Sequence, residues 1–137
     1  MIPGIGKAGS PYARTVPSTN LTPVSTLPEA GLVFDVLLKQ DRFVPHPDGI
    51  SSLFFAMADL IIHCIFHTNL KDPTINNASS YLDLSILYGS SDDEIKTVRS
   101  FDGRGGLRPD CFADGRLLGM PPATCALLVL LNRNHNV

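Results

Sequence analysis

The stretch "ISSLFFAMADLIIHCIFHT", Ile50–Thr68, decides how this chain is read. Positions 53–58, 60–62 and 65–66 are all apolar or alanine, so a helix built from them is apolar around most of its circumference. Such a helix is expected to lie buried in a larger protein. Ser51 or Ser52 can cap it, and the pattern predicts a helix running to about residue 68. Asp59, His63 and His67 break the apolar surface at i, i+4 and i+8, with Cys64 beside them. They form one polar stripe, and a polar stripe on a buried helix must face a cavity, a cofactor or a polar partner. Asp59 and His63 can simply satisfy each other, and His63 with His67 can ligate a metal. The HExxH arrangement of zinc proteases is excluded because Cys64 stands where the glutamate belongs. Asp59 and His63 also make the run too short and too polar to span a membrane.

The surrounding composition is that of a core-forming chain. Of 137 residues, 44% are apolar and 18% charged, and the net charge is −2. That suits one small domain, and gives no electrostatic case for nucleic acid or an anionic membrane surface. Glycine and proline, eleven of each, put much of the chain in loops. Three widely spaced cysteines without a CxxC pair point to reduced thiols in an intracellular protein, in the cytoplasm or peripherally on lipid. The start "MIPGIGKAGS" has no apolar segment of the kind that secretion signals carry.

Residues 1–30 hold five prolines and no apolar period, and read as an extended arm or loop. Gly4, Gly6 and Gly9 match GxGxxG, but neither the required strand nor the helix flanks them. "GLVFDVLLKQ" (31–40) reads as a short amphipathic helix, and "RFVPHPDG" (42–49) as punctuation. Residues 69–80 read as loop, and 81–89 as a short strand or turn-rich segment. "SSDDEIKTVRSF" (90–101) reads as a short helix capped by Ser90 or Ser91 with acids in its first turn. Residues 102–116 read as loop or hairpin, and 121–136 as a helix opened by proline. The fold class is mainly α.

Two later segments carry further chemistry. In "SSYLDLSILYGS" (79–90), Ser79, Tyr81, Asp83 and Ser85 put oxygen donors at alternate positions around one carboxylate, which suits a hard cation such as Ca²⁺. "GRLLGMPP" (115–122) carries Arg116 just before a helix.

Together, "GSPYARTV" (9–16), "HPDGISSLFFAMADLIIHCIFHT" (46–68), "SSYLDLSILYGS" (79–90), "RPDCFADGRLLGMPP" (108–122) and "NRNHN" (132–136) resemble the animal-type haem peroxidase and cyclooxygenase superfamily, specifically its fungal branch of linoleate diol synthases and psi-producing oxygenases. The resemblance covers almost the whole chain in the family's order. It implies a partial haem-peroxidase, cyclooxygenase-like helical domain over 31–137, with haem as cofactor. His63 then corresponds to the distal histidine, which moves a proton as a peroxide O–O bond breaks. Arg116 corresponds to the distal arginine, which stabilises charge developing on oxygen. Met120 and Gly119 fall where some relatives bond covalently to haem. Glycine cannot form the ester, so the resemblance implies non-covalent haem, contacted by His63, Arg116 and Met120. Ser79, the Tyr81 carbonyl, Asp83 and Ser85 match the family's calcium loop. Cys64 stands where a further calcium carboxylate is usual, which weakens that site.

In this family the proximal histidine and the radical tyrosine lie far beyond residue 137. The expectation is therefore an N-terminal fragment with the distal haem side only, unable to complete a haem site. Its helices at 51–68 and 121–136 are expected to leave large apolar patches exposed. The implied parent oxygenates an unsaturated fatty acid such as linoleate. The alternatives are a haem peroxidase acting on small reductants and a catalytically inactive fragment.

Overall fold

The computed structural model describes residues 4–13 and 22–137, so parts of the expected arm, 1–3 and 14–21, lie outside the described residues. The chain divides into two units, one made of Met1–Tyr12 with Ser51–Val137 and the other of Ala13–Ile50.

In the Ala13–Ile50 unit, a 3-10 turn at Val24–Thr26 precedes helix α1, Ala30–Val33. The Glu29 carboxylate caps α1 by accepting from the Leu32 N–H at 2.9 Å. The coil continues through a π-helical turn at Phe34–Leu38 and ends at extended Lys39. The helix expected over 31–40 is present, but no residue of it is buried, and Phe34, Val36 and Leu37 all face out.

The larger unit starts with a two-residue strand β1, Ser10–Pro11, paired antiparallel with β2, Ile75–Asn76. Both segments were expected to be loop. Two residues are too few for any alternation to register in a sequence. Helix α2, Ser52–Ile65, is capped by Ser51 Oγ, which accepts from the Leu53 N–H at 3.2 Å. It stops three residues before Thr68. Phe66 is extended, and the Asn76 amide takes both the Ile65 carbonyl and the His67 N–H, each at 2.8 Å. One asparagine thus supplies an acceptor and a donor that the helix end needs.

The segment read as strand or turn holds a single helical turn, α3, Ser85–Tyr88. Gly89 closes it at φ +94, and a Cβ there would sit 2.7 Å from the Ile95 nitrogen. Only glycine allows the chain to turn that tightly into the next helix. Helix α4, Asp92–Val98, begins as its sequence predicts. Ser91 Oγ accepts from the Glu94 N–H at 3.3 Å, and the Glu94 carboxylate accepts from the Ser90 N–H at 2.7 Å. Ser91→Ala is expected to cost about 1 kcal/mol, read from the urea midpoint. An unchanged midpoint would show that the cap contributes nothing.

A hairpin-like link follows, with Arg99 opposite Leu107, then a 3-10 turn at Gly115–Gly119 and helix α5, Pro122–His135. Ala56, Leu60 and Cys64 on α2 and Thr124, Leu128 and Asn132 on α5 are the buried stripes of two helices that pack on each other. Ile86, Leu87, Val98, Leu107 and Leu117 complete the core.

The remainder of α2 is not buried. Leu53, Phe54, Phe55, Met57 and Ile62 are exposed, whereas α5 leaves out only Leu130 among its large apolar side chains. The apolar patch expected on both helices is therefore confined to α2. The expectation of a buried α2 holds for one stripe only. No helix among the described residues is long and apolar enough to cross a membrane.

Candidate functional site

The site begins in the last turns of α2. His63 Nδ1 lies 2.8 Å from the Asp59 carbonyl, one turn earlier, and 3.3 Å from Asp59 Oδ1. A carbonyl only accepts, so Nδ1 carries the hydrogen, and the neutral imidazole keeps its lone pair on Nε2. Asp59 is shared: its Oδ2 accepts from the fully buried Thr124 hydroxyl at 2.9 Å. That bond ties the α2 carboxylate to α5 and fixes the His63 partner from behind. The pairing of Asp59 with His63 is thus present in the fold.

His67 leaves the stripe because α2 ends at Ile65. It nevertheless lines the same cavity as His63, about 200 Å³ in volume, with Asp114 and Arg116 on its wall. Arg116 is held almost completely. Its Nε lies 3.0 and 2.9 Å from the two Asp114 oxygens, and Nη2 lies 2.5 Å from Asp114 Oδ2. Nη2 also reaches the His63 carbonyl at 3.3 Å, and Nη1 the Phe66 carbonyl at 3.1 Å. The guanidinium therefore cradles the C-terminal end of α2, where carbonyls lack helical partners and a cation is favoured.

Asp114, which no motif in the sequence singles out, is the hinge of this arrangement. It also caps the 3-10 turn by accepting from the Arg116 N–H at 2.9 Å. Burial pushes its carboxyl up, but the Arg116 guanidinium and N–H outweigh that and hold it below the ordinary carboxylate range. The only signal in the sequence was an acid two residues before the arginine.

The segment expected to hold a cation does gather its oxygens. The Ser79 hydroxyl lies 2.7 Å from Asp83 Oδ2 and 3.3 Å from the Tyr81 carbonyl, and the Ser85 N–H donates to Asp83 Oδ1 at 2.9 Å. Burial acts to raise the Asp83 carboxyl, but the bonds from Ser79 and Ser85 prevail and lower it. Cys64, fully buried, faces this loop: burial first, then the Asp83 charge, push its thiol up. Asp83 is the loop's one carboxylate, and both its oxygens are already hydrogen-bonded. That donor set is poor in charge for Ca²⁺, and no group of three or more His, Cys, Asp or Glu among the described residues could hold a metal.

Met120 packs against the core, and neither it nor Gly119 lines the cavity with His63. Of the residues expected at a haem, His63 and Arg116 come together and Met120 stands apart. The cavity is smaller than the roughly 300–1,000 Å³ usual for small-molecule sites. With Nδ1 directed at the Asp59 carbonyl, Nε2 is the His63 nitrogen left for other chemistry.

Over 98% of its length the chain is 48% identical to the linoleate 10R-lipoxygenase of Aspergillus fumigatus and 48% identical to psi-producing oxygenase A of Emericella nidulans. It is 45% identical to the linoleate diol synthase of Gaeumannomyces graminis over the same share. It spans 12% of the length of each of these curated relatives. No family model matches the chain, and no solved structure matches it. Its homologues are thus fungal linoleate diol synthases, psi-producing oxygenases and dioxygenases.

Proposed function

We propose that this chain forms the distal wall of the haem pocket in a fungal fatty-acid dioxygenase of the linoleate diol synthase type, within a haem-peroxidase-like helical domain. The observation that carries the reading is His63: its Nδ1–H is spent on the Asp59 carbonyl, which leaves Nε2 as a base in a cavity shared with Arg116. The names of the relatives supply the substrate class, an unsaturated fatty acid such as linoleate. Haem, when bound, supplies the redox chemistry that activates peroxide.

The chain's own residues act on protons and charge. His63 Nε2 takes a proton from the incoming peroxide and returns it to the departing oxygen, work that suits an imidazole near neutral pH. Asp59 orients the ring, and Thr124 orients Asp59. Arg116 lends positive potential to that wall while anchored to Asp114. The three free thiols suit a reducing compartment.

The test is a chimera in which this chain replaces its aligned segment in the Aspergillus fumigatus linoleate 10R-lipoxygenase. Linoleate oxygenation is expected to persist. His63→Ala in that chimera is expected to cut kcat about a hundredfold while the haem absorption band remains. Equal turnover with and without His63 would sink the assignment. Products from linoleate against oxidation of small reductants separate an oxygenase from a simple peroxidase.

A further inference from the structure

The three tyrosines place their phenols against three different kinds of partner. The Tyr12 hydroxyl meets Thr68 Oγ1 at 2.7 Å, and the Tyr81 hydroxyl donates to the Ile5 carbonyl at 3.4 Å. The Tyr88 hydroxyl lies 3.2 Å from His135 Nδ1, and the two rings meet edge to face with centroids 5.3 Å apart. Tyr88 closes α3 and His135 closes α5, so the pair joins two helix ends across the fold.

The other nitrogen of that ring settles the direction of the hydrogen bond. His135 Nε2 lies 3.2 Å from the Gly105 carbonyl, which also accepts from the Arg99 guanidinium. Because the carbonyl can only accept, Nε2 carries the hydrogen. In the neutral imidazole, Nδ1 is then a lone-pair acceptor for the Tyr88 O–H. Tyr88 is thus the one tyrosine of the three whose phenol is hydrogen-bonded to a base.

We propose that Tyr88 and His135 form a site of proton-coupled one-electron oxidation. An outer one-electron oxidant of the metal polypyridyl class takes one electron from the Tyr88 ring. In the same step the phenolic O–H bond breaks and the proton forms a bond to His135 Nδ1. The products are a neutral tyrosyl radical, an imidazolium held through Nε2 by Gly105, and the oxidant reduced by one electron. Without a side-chain base the proton has to go to water, a much weaker acceptor than imidazole, and the same oxidation is slower. A hydroxyl at Tyr12 and a carbonyl at Tyr81 offer no comparable proton acceptor.

Exposure ranks these residues the other way. Tyr81 is 53% exposed, whereas Tyr88 is half-buried. Accessibility alone therefore selects Tyr81, and proton acceptance selects Tyr88.

The full chain is oxidised with photogenerated tris(bipyridine)ruthenium(III), freeze-quenched, and its tyrosyl signal is recorded by electron paramagnetic resonance in wild type and in the three single Tyr→Phe variants. Tyr88→Phe is expected to remove at least about five times as much signal as Tyr81→Phe, and His135→Asn to remove the Tyr88 share. A signal lost chiefly with Tyr81→Phe would overturn the proposal, as would a Tyr88 share that survives His135→Asn. The Tyr→Phe ranking deletes single hydroxyls, so it decides the matter even if His135→Asn fails to fold.

Discussion

Replacing Asn132 with leucine is expected to lower stability by about 2–3 kcal/mol, whereas Arg133→Ala, one residue on, is expected to leave the unfolding midpoint nearly where it is. Both side chains bind the same loop residue. Asn132 is fully buried on α5. Its Nδ2 donates to the Arg108 carbonyl at 3.0 Å and to the Cys111 carbonyl at 2.9 Å, and its Oδ1 accepts from the Asp110 N–H at 3.2 Å. Leucine has nearly the same shape but would strip the Cys111 carbonyl and the Asp110 N–H of this partner, at about 1 kcal/mol each, and leave the Arg108 carbonyl with the Cys111 thiol as its donor. Asp110 sits at φ 55, a left-handed conformation that aspartate tolerates better than most residues with a side chain. Arg133 holds the Asp110 carboxylate at 2.6 and 2.8 Å, but its side chain is 64% exposed, and water replaces that pair readily. Urea unfolding of the two variants checks the contrast; equal midpoints would show that the buried amide does not pin the loop.

That asparagine also marks the limit of what the sequence disclosed. The i, i+4 spacing of Asp59 and His63 made the polar stripe legible, because both partners lie on one helix and helical geometry alone brings them together. The Ser91 cap and the proline opening of α5 were legible for the same local reason. "NRNHN" read as the polar end of a helix, since nothing nearby shows that Asn132 continues the buried row of Thr124 and Leu128. Its partners are 21 to 24 residues away. Asn76 carries no local signal either: it ends α2 at Ile65 from 11 residues downstream, which takes His67 off the helix. At the candidate site His63 was visible, but the hold of Asp114 on Arg116 depends on a 3-10 turn that leaves no periodic trace.

That hold yields the other large expected effect. Arg116→Met is expected to destabilise the chain by about 2–3 kcal/mol, and Asp114→Asn by about 1–2 kcal/mol. Methionine keeps much of the side-chain volume but strips the guanidinium from the Asp114 carboxylate, which is only 17% exposed, and from the carbonyls of His63 and Phe66. Asparagine at 114 can still cap the turn, so it loses less. Because the two residues act as one unit, the double variant should cost about 1–2 kcal/mol less than the sum of the singles. Acid titration gives an independent sign. The Asp114 carboxyl is lowered in the fold, so its contribution is present above the unfolded carboxylate value of ~3.9 and is lost as pH falls through the lower folded value. Asp83 and Asp110 are lowered too and titrate in the same window. The difference between wild type and Asp114→Asn therefore isolates the one carboxylate: wild type should lose its advantage on acidification below about pH 4, and the two curves should converge. Parallel curves, or additive single effects, would mean that Arg116 is placed by something other than Asp114. The link to function runs through the same atoms, since the guanidinium that Asp114 fixes holds the carbonyl of His63 itself. Chemical shifts of the His63 ring should then move in Asp114→Asn while those of His135 stay in place.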